Sequence, residues 1–230
     1  VLLFRFLTLM ICATAISSCT ERLTKDILVA GGSTGGVAAG IQAARMGVST
    51  VIVEEHEWLG GMLTSAGVSA TDGNYSLRSG IWGEFVKALA DHYGGDSRLQ
   101  TGWVSNILFE PSAGNMIFFE MASSEPNLEV VNNAFITKVK RRGDTWKVTV
   151  RRGNYRINYT VKILIDATEL GDIAARCGAD YDIGMDSRYD TGEEIAPEKA
   201  NDIVQDLTYI AILKDYGTEV QMERPEGYDS

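Results

Sequence analysis

The chain has 230 residues and a formal net charge of -10, from 31 Asp and Glu against 21 Lys and Arg. Apolar residues make up 45% and charged residues 23%, a balance that argues against disorder or a fibre and allows a sizeable core. The acidic excess argues against nucleic acid as a partner, because phosphate recognition calls for clustered Lys and Arg.

Only two histidines occur, His56 and His92, so histidine metal sites have little material. The three cysteines, Cys12, Cys19 and Cys177, form no CxxC pair, which argues against structural zinc and dithiol redox chemistry. Glycine is unevenly spread: twelve of the 24 fall between Gly31 and Gly83, so backbone turns or close approaches concentrate there.

Residues 1–18 read VLLFRFLTLMICATAISS, with Arg5 ahead of an apolar run from Phe6 to Ile16. That is the pattern of a signal peptide, and the run is short for a membrane span. Ser17 and Ser18 then precede Cys19, which resembles the lipobox of bacterial lipoproteins. The resemblance implies cleavage before Cys19, a lipid on that cysteine, and a place in the cell envelope of a bacterium. An ordinary signal peptide cut near Ala15, or a membrane anchor, is the alternative. Residues 19–25 read as a short polar tether.

Asp26–Ala30 is a compact apolar strand, Gly31–Gly36 a glycine turn, and Val37–Met46 a helix of small residues closed by Gly47. Val48–Val53 is a second strand ending at Glu54 and Glu55. Strand, turn, helix and strand in about thirty residues predict a parallel βαβ unit. Trp58–Asn74 is glycine-rich and irregular. Helices are predicted over Ile81–His92 and Ser112–Ser123, and a short strand over Leu128–Val131. Ala134–Val139, Trp146–Val150 and Tyr155–Val161 predict an antiparallel meander turning at Gly143-Asp144 and Gly153-Asn154. Its cations, Lys138 to Arg142 with Arg151 and Arg152, read as a solvated hairpin edge. Lys162–Asp166 returns as a buried strand and Ile173–Cys177 begins a helix. Asp180–Asn201 is an acidic crossing, and Leu207–Leu213 is one more apolar strand.

The first βαβ unit carries the chemistry. Gly31, Ser33 and Gly36 occupy the three places of the dinucleotide fingerprint, with Gly32, Thr34 and Gly35 between them. The bare backbone lets a pyrophosphate approach, and the helix N-terminus offers it free N–H groups and a positive dipole end. Glu54 stands where an acid accepts from ribose hydroxyls, with Glu55 beside it. Ser33 replaces the second glycine, a mild departure. The pair Gly60-Gly61 and Met62 then keeps the chain bare where a nicotinamide enzyme proceeds to a helix. With the interposed meander, this layout suits a flavin domain.

The stretches DILVAGGSTGGVAAGIQAARMGVSTVIVEE, LGGMLTSAGVSATDGN and ILIDATELGDIAA resemble the FAD-dependent oxidoreductases found beside xanthan-lyase-like proteins in polysaccharide-degrading bacteria. The resemblance covers Asp26 to Leu213. It implies an α/β fold: a Rossmann-like FAD-binding domain over 26–180, a parallel sheet with a β-meander, then the truncated start of a substrate domain over 181–230. It implies FAD as cofactor, held by Gly31–Gly36, Glu54, Gly60, Gly61 and Met62. Ile136 would bring backbone near the adenine. Thr168 would be the second contact, with Gly171 and Asp172 close behind. Asp172 reads equally as the cap of the following helix.

The resemblance further implies hydride transfer between flavin and a small, possibly carbohydrate-related substrate. It also implies a longer enzyme, whose first 230 residues alone bind FAD poorly and are inactive. Two other readings stand: an NAD-dependent dehydrogenase, and a non-catalytic glycan-binding surface lipoprotein with a nucleotide-binding fold. No catalytic base is assigned. His56, Asp72, Asn74, Trp82 and Trp103 are candidate contacts, each also readable as surface, turn or packing. Cys177 reads as inert.

Overall fold

The computed structural model describes residues 20–73, 75–100, 105–213, 215–221, 223–224 and 226–227. The signal segment, Cys19, Asn74 and Trp103 therefore lie outside the described residues.

The centre is a four-stranded parallel sheet. Strands β2 (Ile27–Ala30), β3 (Thr50–Val53), β6 (Leu128–Val131) and β10 (Ile163–Asp166) lie in the order β10-β2-β3-β6. All three pairings are parallel. Strands β2 and β3 are buried at every position, which is why they read as unbroken apolar runs. Their side chains still alternate. Ile27, Val29 and Ile52 face Ala43 of helix α1 (Thr34–Arg45), while Leu28, Ala30, Val51 and Val53 face the other layer. Fully burying a side chain such as Leu28 contributes about 1.5–3 kcal/mol.

That other layer is the meander. Strands β7 (Phe135–Arg142), β8 (Thr145–Arg152) and β9 (Tyr155–Val161) pair antiparallel. They turn the inward residues Ile136, Val148, Val150, Tyr159 and Val161 onto the parallel sheet. On the opposite face α1 joins helices α2 (Gly80–Tyr93) and α3 (Pro111–Ser123). Their core centres on Phe85, stacked on Phe118 at 4.1 Å and edge-on to Phe109 at 5.5 Å. Arg45 at the end of α1 clamps this layer, with paired bonds to Glu84 of α2 and one to Glu125 after α3. Two short strands, β4 (Ala70–Thr71) and β5 (Ile107–Leu108), pair antiparallel beside it.

Two segments differ from the sequence expectation. The expected tether holds strand β1 (Thr20–Thr24), which pairs in parallel with β9 at the sheet edge. An edge strand needs only one anchor, and Leu23 packs on the core while its neighbours stay polar. The expected strand over Leu207–Leu213 is absent: no strand of the described residues pairs with it, and Leu207, Tyr209 and Leu213 are exposed. An apolar run becomes a strand only where another backbone takes its hydrogen bonds. Within the acidic crossing, Ser187 caps a short helix, Arg188–Thr191, and Met185 bridges to Asn201.

Candidate functional site

The site forms where β2, β3 and β10 end. Gly31 leaves β2 with φ +96, a conformation other residues rarely take, and a Cβ there would lie 2.3 Å from the Ala167 carbonyl oxygen. Its N–H donates to the Val53 carbonyl at 2.8 Å, which fixes the turn against β3. Ser33 caps α1: its hydroxyl accepts from the Gly36 N–H at 3.2 Å. The hydroxyl hydrogen stays available for a ligand. A Cβ on Gly36 would lie 2.1 Å from the Gly31 carbonyl oxygen, whereas one on Gly35 would meet only Ser33 Oγ at 3.9 Å. Gly36 is thus required by the protein's own packing, and Gly35 leaves open space beside the helix N-terminus.

The second glycine pair is tied to the first. Gly60 has φ +107 and donates to the Gly32 carbonyl at 2.7 Å, forming a parallel bridge between residues 33 and 60. The Thr34 hydroxyl donates to the Gly60 carbonyl at 2.8 Å. Thr64 donates from its hydroxyl to the Leu59 carbonyl at 2.6 Å and closes the loop from below.

Glu54 is buried, 8% exposed. One carboxylate oxygen accepts from the Gly32 N–H at 2.5 Å and the other from the His56 N–H at 2.8 Å. The carboxylate is therefore oriented by backbone at the cavity wall, and each oxygen can accept a further bond.

A cavity of about 680 Å³ runs across these strand ends, a size suited to small-molecule binding. Gly31, Ser33, Glu54, Glu55, Gly61, Met62 and Thr168 line it, together with His56. A second cavity of about 540 Å³ continues from it, sharing Ser33, Met62 and Glu169. Thr34, Gly35, Asp72 and Trp82 line this second part. Gly32, Gly36 and Gly60 stand behind the walls as supports.

Three expected residues line neither cavity. Ile136 is outside both cavity walls, its side chain in the core and its carbonyl accepting from the Arg176 guanidinium at 2.8 Å. Gly171 and Asp172 also line neither cavity. Asp172 does not cap helix α4 (Asp172–Arg176) through its side chain; Gly171 holds that place. The capping acceptor is Asp166. It takes the Ala174 N–H at 2.6 Å, the Thr168 N–H at 2.9 Å and the Thr168 hydroxyl at 2.7 Å. Burial pushes the Asp166 carboxyl up, but these donated bonds outweigh it and hold it below its ordinary range. Asp166 thereby orients Thr168 at the cavity wall.

Glu169 was not singled out from sequence, yet it lines both cavities, and its carboxylate occupies the space above Gly61. The signal was its place next to Thr168 in the ATELGD stretch. Cys177 ends α4, is exposed, and has its thiol pushed up by burial and by the Asp166 charge. His92 sits in the last turn of α2 against Tyr93, away from the cavities. Among the described residues no group of His, Cys, Asp and Glu could hold a metal ion.

Parallel strands, a glycine turn into a helix N-terminus, and an acid closing the next strand define a dinucleotide-binding domain. The family described as FAD dependent oxidoreductase matches residues 26–229. The chain belongs to that enzyme family, and its cofactor is FAD. No curated protein matches the chain. Among solved structures it is similar to a flavoprotein/dehydrogenase from Cytophaga hutchinsonii, with 17% identity over 71% of this chain and a TM-score of 0.54. It is also similar to p-nitrophenol 4-monooxygenase from Pseudomonas putida, with 13% identity over 73% and a TM-score of 0.52. A third is anhydrotetracycline hydroxylase from Streptomyces rimosus, with 11% identity over 72% and a TM-score of 0.54. These likenesses concern the Rossmann-like fold. The chain spans 44%, 46% and 36% of the three, in that order.

The residues present fit FAD. Gly35 leaves space at the α1 N-terminus, which borders the cleft, Ser33 has a hydroxyl hydrogen to give, and Glu54 holds an oriented acceptor.

Proposed function

We propose that this chain holds FAD for an oxidoreductase that moves hydride between flavin and a small, carbohydrate-related substrate. FAD supplies the two-electron redox chemistry when bound. The chain's own residues bind and orient. The α1 N-terminus and Ser33 neutralise and hold phosphate, and Glu54 accepts from ribose hydroxyls while its charge repels a 2′-phosphate. Met62, half exposed on the wall shared by both cavities, borders the path along which the rest of a long dinucleotide runs. The continuous cleft over Gly35 carries this reading. The carbohydrate substrate rests on the resemblance of the glycine and ATELGD motifs alone.

The same proposal places the protein in the bacterial cell envelope, with a lipid on Cys19 after removal of residues 1–18. The test is reconstitution of the full-length mature enzyme with FAD and, in parallel, NAD, since the resemblance implies that the first 230 residues alone bind FAD poorly. A bound flavin spectrum and no NAD binding are expected. Turnover of a glycan panel with an artificial electron acceptor tests the substrate class. A chain that stays colourless after reconstitution would falsify the cofactor role. The intact mass of the mature protein reads the lipid separately.

A further inference from the structure

The geometry points to a membrane-docking face: the outer surface of the meander sheet, which binds anionic phospholipid headgroups. Strand register defines this face. Val148, Val150 and Tyr159 point into the core, so Lys147, Arg151 and Arg156 point out. On β7 the outward positions hold Phe135, Lys138, Lys140 and Arg142. On β1 the outward partner of Asn158 is Arg22. A third of the 21 Lys and Arg of an acidic protein thus share one exposed sheet face. The outward positions of these four strands carry no Asp or Glu, and none of these cations forms an ion pair among the described residues.

The fold by itself has no use for this arrangement. Lys140 lies directly opposite Lys147, and Arg151 directly opposite Arg156. Like charges in cross-strand register destabilise a sheet. An anionic surface offsets that cost. The occupant is a bilayer because β1, the edge strand of this sheet, begins at the residue after Cys19. A lipid on Cys19 brings the sheet to the membrane, and one acyl signal is commonly completed by a basic patch. Phe135 is 43% exposed on the same face, within 5.9 Å of the Arg151 guanidinium, and can seat in the headgroup layer. The choice of a bilayer as the occupant rests on the lipoprotein reading proposed above; the unlipidated chain tests the binding separately.

The test uses the mature chain from residue 19 with Cys19→Ser, so that no lipid is attached. It is sedimented with vesicles of phosphatidylcholine alone or with about 30% phosphatidylglycerol, at low and physiological salt. Binding only to the anionic vesicles, weakening with salt, is expected. In the double variant K147E/R156E both like-charge pairs become opposite pairs. It melts about 1–3 °C higher while vesicle binding falls on the order of 100-fold. The charge-conserving K147R/R156K keeps wild-type binding. No binding to anionic vesicles at low salt, or equal binding by K147E/R156E, overturns the proposal. Retention on heparin or duplex DNA, lost in K147E/R156E while vesicles are ignored, assigns the face to another polyanion and also overturns it. An unlipidated N-terminus by mass overturns the anchor alone.

Discussion

Gly35 and Gly36 are neighbours in one helix turn, yet alanine at each is expected to act in opposite ways. At Gly36 a Cβ meets the Gly31 carbonyl oxygen at 2.1 Å and the Ala167 Cβ at 3.0 Å. The first obstacle is backbone, so the junction of β2, α1 and β10 must shift by about an ångström. Overpacking of that kind costs about 1–3 kcal/mol. For a chain of this size that is a melting temperature lower by roughly 2–10 °C. At Gly35 the nearest atom is Ser33 Oγ at 3.9 Å, so Gly35→Ala meets no obstacle. It removes glycine entropy from a helix, a gain of at most ~1 kcal/mol. The new methyl instead fills the space left for the cofactor. The prediction is an unchanged or raised melting temperature for Gly35→Ala without FAD, and FAD affinity at least about ten-fold weaker, a loss of ~1.4 kcal/mol. Thermal unfolding of the apo protein and titration of FAD fluorescence read the two quantities independently. Wild-type FAD affinity in Gly35→Ala would refute the placement of the cofactor over that glycine. An undiminished melting temperature in Gly36→Ala would refute the packing argument.

Glu54→Gln puts an amide where two backbone N–H groups need acceptors, so one donor is left facing a donor. The expected cost is about 1–3 kcal/mol by urea titration, with weaker FAD binding alongside. Asp166→Asn removes a carboxylate whose folded-state pKa is depressed. Its contribution is present above the ordinary value of 3.8 and is lost as pH falls through the lower folded value. The variant should therefore lose ~1–2 kcal/mol near pH 7 and show a shallower further loss below about pH 4. Equal urea midpoints for the two proteins near pH 7 would contradict this. Glu169→Gln removes an exposed negative charge from the wall shared by both cavities. FAD should bind about two- to five-fold more tightly at low salt, with the difference closing at high salt.

The βαβ unit was legible because its residues have no alternative use. Unbroken apolar runs demand burial on both faces, and Gly31 and Gly36 answer to backbone neighbours that any such turn provides. The meander was legible for the same reason, its inward residues alternating between Gly-containing turns. What the sequence concealed depends on partners remote in the chain. Strand β1 looks polar because only Leu23 is needed at an edge. Leu207–Leu213 looks like a strand because apolarity reports burial potential, whereas strand formation depends on a backbone partner. In the site, Asp166 was hidden by its neighbour. An Asp beside Ile173–Cys177 suggests a cap at Asp172, but the acceptor comes from the end of β10, across the turn. Ile136 was placed near the cofactor by resemblance; its side chain faces the core and its carbonyl accepts from the Arg176 guanidinium.

The parallel pairing of the earliest strands with the latest ones has a kinetic consequence. Strand β1 waits for β9, and β2 waits for β10; the Asp26–Lys162 contact beside them spans 136 residues. Such non-local pairing raises contact order and slows folding. Until residue 166 is available, β2 has β3 on one edge and nothing on the other, and β1 has no partner strand. The nascent domain therefore exposes two open strand edges for most of its synthesis, the condition in which chains aggregate. Protection of β1 and β2 amides should accordingly be among the last to appear in refolding, and a holding chaperone should improve the yield more than a prolyl isomerase does.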